Sequence, residues 1–174
     1  MGCAAPAVPD PDPDPGPDLD PSPDPDPGPG SVVIRDASEA CADASTGVFS
    51  DMPDAHPHRA GIECTAFWGI AGGYPDGTYR PWSEVTRAQM ATFIVRAVEY
   101  RTGSAIEPVS PPFSDHLTSV HRDRIERLAA IGVTGGDASG NYDPQRRVDR
   151  GQMGSFMARS VAYLVDDDSA NSSI

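Results

Sequence analysis

The sequence predicts a mainly α protein: two helix–loop–helix units in tandem, packed as a small helical bundle and preceded by a disordered Pro/Asp-rich segment. Three observations carry that reading. An internal repeat runs from Phe49 to about Val161, and a fixed period decides architecture before any local propensity does. Apolar residues within each unit recur at helical spacing. The helices are separated by glycine-rich turns instead of alternating apolar runs.

The repeat is read at an offset of 63 residues, where His58-Arg59-Ala60-Gly61-Ile62-Glu63 lies on His121-Arg122-Asp123-Arg124-Ile125-Glu126. Gly69-Ile70-Ala71-Gly72-Gly73 lies on Gly132-Val133-Thr134-Gly135-Gly136, Gly77-Thr78-Tyr79-Arg80-Pro81 on Gly140-Asn141-Tyr142-Asp143-Pro144, and Phe93 and Arg96 on Phe156 and Arg159. One residue is gained before the first helix, so Phe49-Ser50-Asp51 meets Phe113-Ser114-Asp115 at an offset of 64. The expected organisation is a spacer over 1–30, an irregular lead-in over 31–48, units over 49–103 and 113–165 joined by a linker over 104–112, and an acidic disordered tail over 166–174.

The spacer cannot contribute to a core. From Pro9 to Pro29 almost every second residue is proline, and most of the others are aspartate. Proline fixes φ and removes the amide donor, so the segment should adopt polyproline II and reach roughly 60 Å over about twenty residues. The net charge of -13 is concentrated at the ends: Asp10, Asp12, Asp14, Asp18, Asp20, Asp24 and Asp26 lie in the spacer, and Asp166, Asp167 and Asp168 near the C-terminus. The folded part is mildly acidic. All 13 basic residues are arginine and none forms a clustered basic face in the sequence, which argues against nucleic acid as a partner.

No stretch approaches the ~20 apolar residues that span a bilayer. Met1-Gly2-Cys3-Ala4-Ala5 resembles the end of a lipoprotein signal, which makes Cys3 a lipidation candidate and a membrane a partner only if Cys3 is lipidated. Cys41 and Cys64 are the disulfide candidates. Their pairing would tie the lead-in to the first helix and presupposes an oxidising compartment; two buried free thiols are the alternative.

Within each unit, Ile62 and Ala66, or Ile125, Leu128 and Ala129, mark one buried stripe on the first helix, and Gly69 and Gly132 fall where a left-handed residue ends it. The second helix carries Met90, Phe93, Ile94, Ala97 and Val98 in one copy and Met153, Phe156, Met157, Val161 and Leu164 in the other, all expected in the core. Thr86 and Asp149 read as N-caps, with Gln89 and Gln152 completing capping boxes. Arg87 and Arg150 have no such role. Each puts a cation at the first helical position, where the macrodipole opposes it by up to ~1 kcal/mol. Two partners are open: a core-facing carboxylate such as Asp51 or Asp115, or an anionic ligand held by guanidinium and helix N-terminus together.

These residues resemble the S-layer homology family, whose units open with Phe-x-Asp, run to Gly-Ile-x-x-Gly, pass an Asp-Gly-Thr-Phe/Tyr-x-Pro loop and reach a Thr-Arg-Ala-Glu helix start. The first unit fits nearly throughout, including Gly73-Tyr74-Pro75-Asp76-Gly77-Thr78-Tyr79. In the second, Asp137-Ala138-Ser139-Gly140-Asn141 and Asp149-Arg150-Gly151-Gln152 depart from the pattern, while Phe113, Asp115, Gly132, Tyr142, Pro144 and Arg150 hold the frame. Glutamine in place of glutamate, followed by Met-x-x-Phe, is similar to an actinobacterial variant.

The resemblance implies an exported, non-covalent anchor at the cell wall or cell surface, whose partner is a cell-wall polysaccharide or another peptidoglycan-linked polymer. It nominates Arg87 and Arg150 as ligand-binding, with Thr86, Gln89 and Gln152 nearby and Trp82 as a sugar-stacking surface; Trp82 equally suits a core or lid position. Three units are usual in the family and two are present here. Either the pair closes on itself, or a second copy supplies the missing faces as a homodimer, or a unit was lost. A protein–protein interaction module is the competing function.

Catalysis, cofactors and a bound metal are not expected. Neither glycine cluster has phosphate-binding spacing, no nucleophile elbow appears, and His56-Pro57-His58 has no second cluster to complete a metal site.

Overall fold

The computed structural model describes residues 41, 44, 47–111 and 113–171, with side chains as far as 167. The spacer, Cys3, most of the lead-in and the last residues of the tail lie outside the described residues. Four helices make up the regular structure described: α1 (Arg59–Phe67), α2 (Arg87–Thr102), α3 (Arg122–Ala130) and α4 (Arg150–Asn171). The protein is mainly α, with one isolated antiparallel bridge between Thr86 and Arg147. No described helix is long and apolar enough to cross a membrane.

Helices α1 and α3 have nine residues each, too few to persist alone, and both depend on their ends and their packing. Both end on the expected glycines, Gly69 at φ 69° and Gly132 at φ 70°. The chain then folds back so that the amide of Ala71 donates to Thr65 O and that of Val133 to Leu128 O. Helix α2 begins with a complete capping box: Thr86 Oγ1 accepts from Gln89 N, and Gln89 Oε1 accepts from Thr86 N. It stops at Gly103, which takes the left-handed conformation and donates its amide to Glu99 O.

One core serves both units. It gathers Met90, Ala91, Ile94, Val95 and Val98 of α2 with Phe113, Ile125, Leu128, Val133, Tyr142 and Phe156, all from the second unit. Helix α2 packs on α3 and α4, whereas no helix packs on α1 among the described residues. Instead α1 is tied down by the expected Cys41–Cys64 disulfide, with Cα atoms 5.4 Å apart, and by Glu63, which accepts from Gly47 N at 2.7 Å.

The repeat frame is built the same way twice. Asp51 accepts the amides of Tyr79 and Arg80 at 2.8 and 2.7 Å, and Asp115 accepts those of Tyr142 and Asp143 at 2.8 and 2.7 Å. These amides hold the Asp51 carboxyl below the usual carboxylate range, Tyr79 contributing most. The buried rings of Phe49 and Phe113 lie against Gly73 and Gly136, where a Cβ would come within 2.5 and 2.6 Å of the ring. Both glycines also have positive φ, so the loop needs glycine there twice over.

Three expectations are corrected. On α4, Phe156 is buried and Met153 and Leu164 pack against the core, but Met157 and Val161 are exposed, uncovered by any described element. At the start of α4 only half the capping box forms: Gln152 N donates to Asp149 Oδ1, while Gln152 Oε1 is buried without a partner. Finally, α4 continues through Asp166 and Asp167 to Asn171, where a disordered tail was expected from 166, since no glycine or proline interrupts it.

Candidate functional site

The two units meet along a groove of about 720 Å³. Its floor comes from the first unit, with Gly72 and Gly73 of the loop and Gln89, Thr92, Phe93 and Arg96 of α2. The far wall comes from the second unit, with Val120, His121 and Arg124 at the start of α3. Neither unit alone makes this groove, so the shared core beneath it fixes its shape.

Arg80, Arg96 and Arg124 face the groove together with His56, His58 and His121, against the single carboxylate of Glu84, which is itself paired with Arg147. Arg96 is anchored by one nitrogen, Nη1 donating to Ile70 O at 3.1 Å, and lies over Gly72, where a Cβ would sit 3.2 Å from it. Arg80 stacks on the Tyr74 ring at 3.9 Å and bridges to Asp76 at 3.1 Å. Arg124 bonds Glu99 at 2.8 Å. His121 Nδ1 lies 2.8 Å from Thr92 Oγ1, and its pKa is pushed down by burial and by neighbouring Arg96. Burial raises the Tyr79 phenol.

A second hollow of about 390 Å³ occupies the equivalent place in the second unit, lined by Gly135, Gly136, Gln152, Ser155, Phe156 and Arg159. Arg159 repeats the Arg96 anchor, Nη1 donating to Val133 O at 3.1 Å. Here the wall that a following unit would supply is missing among the described residues.

The nominated residues separate. Arg87 lines the second hollow and Arg150 lines neither cavity. Arg87 Nε donates to Tyr142 O at 2.7 Å, and its guanidinium carbon lies 4.8 and 5.4 Å from the Tyr142 and Phe156 ring centroids. For Arg87 a carbonyl and two π faces compensate the cation, while Asp51 and Asp115 accept loop amides. The orphan amides at the α2 N-terminus are also taken: Arg87 N donates to Arg146 O and Ala88 N to Pro144 O, at 2.8 and 3.0 Å, and the Tyr142 hydroxyl returns a bond to Arg87 O.

Gln89 lies in the first groove, its amide committed to Thr86 N and the Tyr74 hydroxyl, and Thr86 is committed to the cap. Trp82 is not a core residue. It is 76% exposed and stacks on His56 at 4.5 Å beside the groove. Sequence reasoning passed over Arg80, Arg96, Arg124 and Tyr74. For Arg96 the signal was present, since Arg159 keeps the same cation at the same helical position in the second copy.

A tandem of helix–loop–helix units sharing one core and opening an arginine-lined groove between them defines the class, and two stretches of it are similar to a known domain. Residues 69–91 and 115–153 match the S-layer homology domain. The chain is 27% identical over 132 residues to cell surface glycoprotein 1 of Acetivibrio thermocellus, covering 72% of this chain and 6% of that protein. It is 27% identical over 130 residues to the cellulosome-anchoring protein of the same organism, covering 72% and 28%. It is 28% identical over 119 residues to S-layer protein EA1 of Bacillus anthracis, covering 68% and 13%. The chain therefore spans less than a third of the length of each of these relatives.

Proposed function

We propose that this is a non-catalytic anchoring module that acts at the cell surface, where it grips an anionic wall-linked polysaccharide in the groove between its two units. The observation that carries the reading is the set of guanidinium groups that face the groove, Arg80, Arg96 and Arg124, against one lining carboxylate already engaged elsewhere. Arginine forks suit carboxylate-bearing sugars, while Tyr74, Tyr79 and the neighbouring Trp82 offer faces for the apolar side of a pyranose. Surface and anchoring proteins among the relatives support the location.

In this reading the second hollow is a weaker subsite. Arg87, with the planar edge of its guanidinium beyond Nε, is its ligand-facing group, and Gln152 lines the same hollow. Thr86 and Gln89 act as positioning residues, and Arg150 contributes long-range charge only.

The test is co-sedimentation of the full chain with purified cell-wall sacculi, before and after chemical removal of the wall-linked glycan. Binding should disappear with the glycan. Binding that survives its removal overturns the proposal in favour of a protein or peptidoglycan partner.

A further inference from the structure

We infer that the exposed face of α4 is a docking surface for α1 of a second copy of this chain, repeating between molecules the α2–α3 contact made within one. The internal repeat shows what such a face packs against. On α2, Ile94 and Val98 are 3% and 2% exposed because α3 of the following unit covers them. The equivalent α4 residues, 63 positions on, are Met157 and Val161, and they are 42% and 58% exposed.

The complementary face is bare as well. Ile125 and Leu128, the α3 residues buried completely in the shared core, correspond to Ile62 and Thr65 on α1. Both of these are only half-buried, Ile62 at the border of the groove between the units, and no described helix packs on α1. At its end Trp68 forms an exposed aromatic cluster with Phe67 and Tyr100, at ring separations of 4.9 and 4.8 Å. Ile131, the equivalent of Trp68, packs against the core.

Charge points the same way. The α2–α3 contact is clamped by Glu99, which accepts from Arg124 and Arg127 at 2.8 and 3.1 Å. In register, α4 has Ala162 where α2 has Glu99, and α1 has Gly61 and Cys64 where α3 has the two arginines. All three charges are absent together. An α4–α1 contact between copies would bury small and apolar groups and leave no ion unpaired. Each chain offers one face of each kind, and in the closed pair inferred here α4 of each copy meets α1 of the other.

Size-exclusion chromatography with light scattering on the full chain, without glycan, tests this apart from the groove reading. At about 100 µM chain, in the range where weak homodimers form, the mass should be twice that of one chain. Val161→Arg on α4 and Trp68→Arg on the α1 side should each weaken the pair by at least about tenfold, the effect of burying an uncompensated charge. Leu117→Arg, at an exposed apolar site away from both faces, should leave it intact, and circular dichroism should show all three variants folded. A monomeric wild type at that concentration, or a dimer that persists unchanged in folded Val161→Arg, overturns the inference.

Discussion

Arg87 and Arg150 are equivalent by repeat, yet their removal should have different consequences for stability. Arg87→Ala deletes a charge-assisted hydrogen bond to Tyr142 O at 2.7 Å, inside a half-buried seam. Hydrogen bonds to charged groups contribute ~1.5–3 kcal/mol. The ring contacts at 4.8 and 5.4 Å add ~0.5–1 kcal/mol. Against this, removing a cation from a helix N-terminus returns ~0.3–1 kcal/mol. The net loss is about 2 kcal/mol. Arg150 is exposed, and Arg150→Ala should cost less, at most about 1 kcal/mol. Urea unfolding followed by far-ultraviolet ellipticity measures both, and the shared core should give one transition with an unchanged m-value. Arg87→Lys keeps the charge but loses the planar fork and should fall between. If Arg87→Ala and Arg150→Ala unfold at the same urea concentration, the assignment of Arg87 to a structural seam is wrong.

The remaining predictions concern the frame around the groove. Gly136→Ala should cost about 1–3 kcal/mol more than Gly132→Ala, because both have positive φ but only a Cβ at Gly136 meets a ring, at 2.6 Å, and a carbonyl, at 2.8 Å; equal losses in urea would show that the loop relaxes. Replacing Cys41 and Cys64 by serine removes a crosslink spanning 23 residues and should lower stability by about 3 kcal/mol, matched by adding a reductant to the wild type. Acid should weaken the fold. The carboxyls of Asp51, Asp76 and Asp137 are held below their ordinary range by hydrogen bonds, led by those from Tyr79, Thr78 and Asn141 respectively. A depressed folded value means that their contribution is complete above the unfolded pKa of about 4 and is lost as pH falls through the folded values. Urea midpoints should therefore hold from neutral pH to about pH 5, then decline, with a smaller decline in Asp51→Asn; a flat profile to about pH 2 would contradict it.

Much of this molecule was legible in the sequence because duplication reports on backbone geometry. Gly69 and Gly132 announced left-handed helix ends, whereas the seating of the Phe49 and Phe113 rings against Gly73 and Gly136 emerges only from the structure. The disulfide was legible too. What the sequence left hidden depends on juxtaposition. The partner of Arg87 is a carbonyl 55 residues away, and carbonyls carry no residue-type signal. Apolar periodicity places Met157 and Val161 on the inner stripe of α4, but periodicity cannot say whether a neighbour covers that stripe. The groove escaped for the same reason: Arg96 and Arg124 face one space only because α3 of one unit packs on α2 of the other.

The central claim is that the groove between the units holds an anionic wall-linked polymer. Its most direct test is the binding isotherm of the full chain on glycan-bearing sacculi, wild type against Arg80→Ala/Arg124→Ala. Glu99 keeps Arg127 as a partner in that variant, so the fold should survive. The account predicts a loss of at least about tenfold in affinity and a shallower dependence on salt, since exposed charge interactions are screened within about 10 Å at ordinary ionic strength. A folded variant that binds as tightly as wild type, with the same salt dependence, would contradict it.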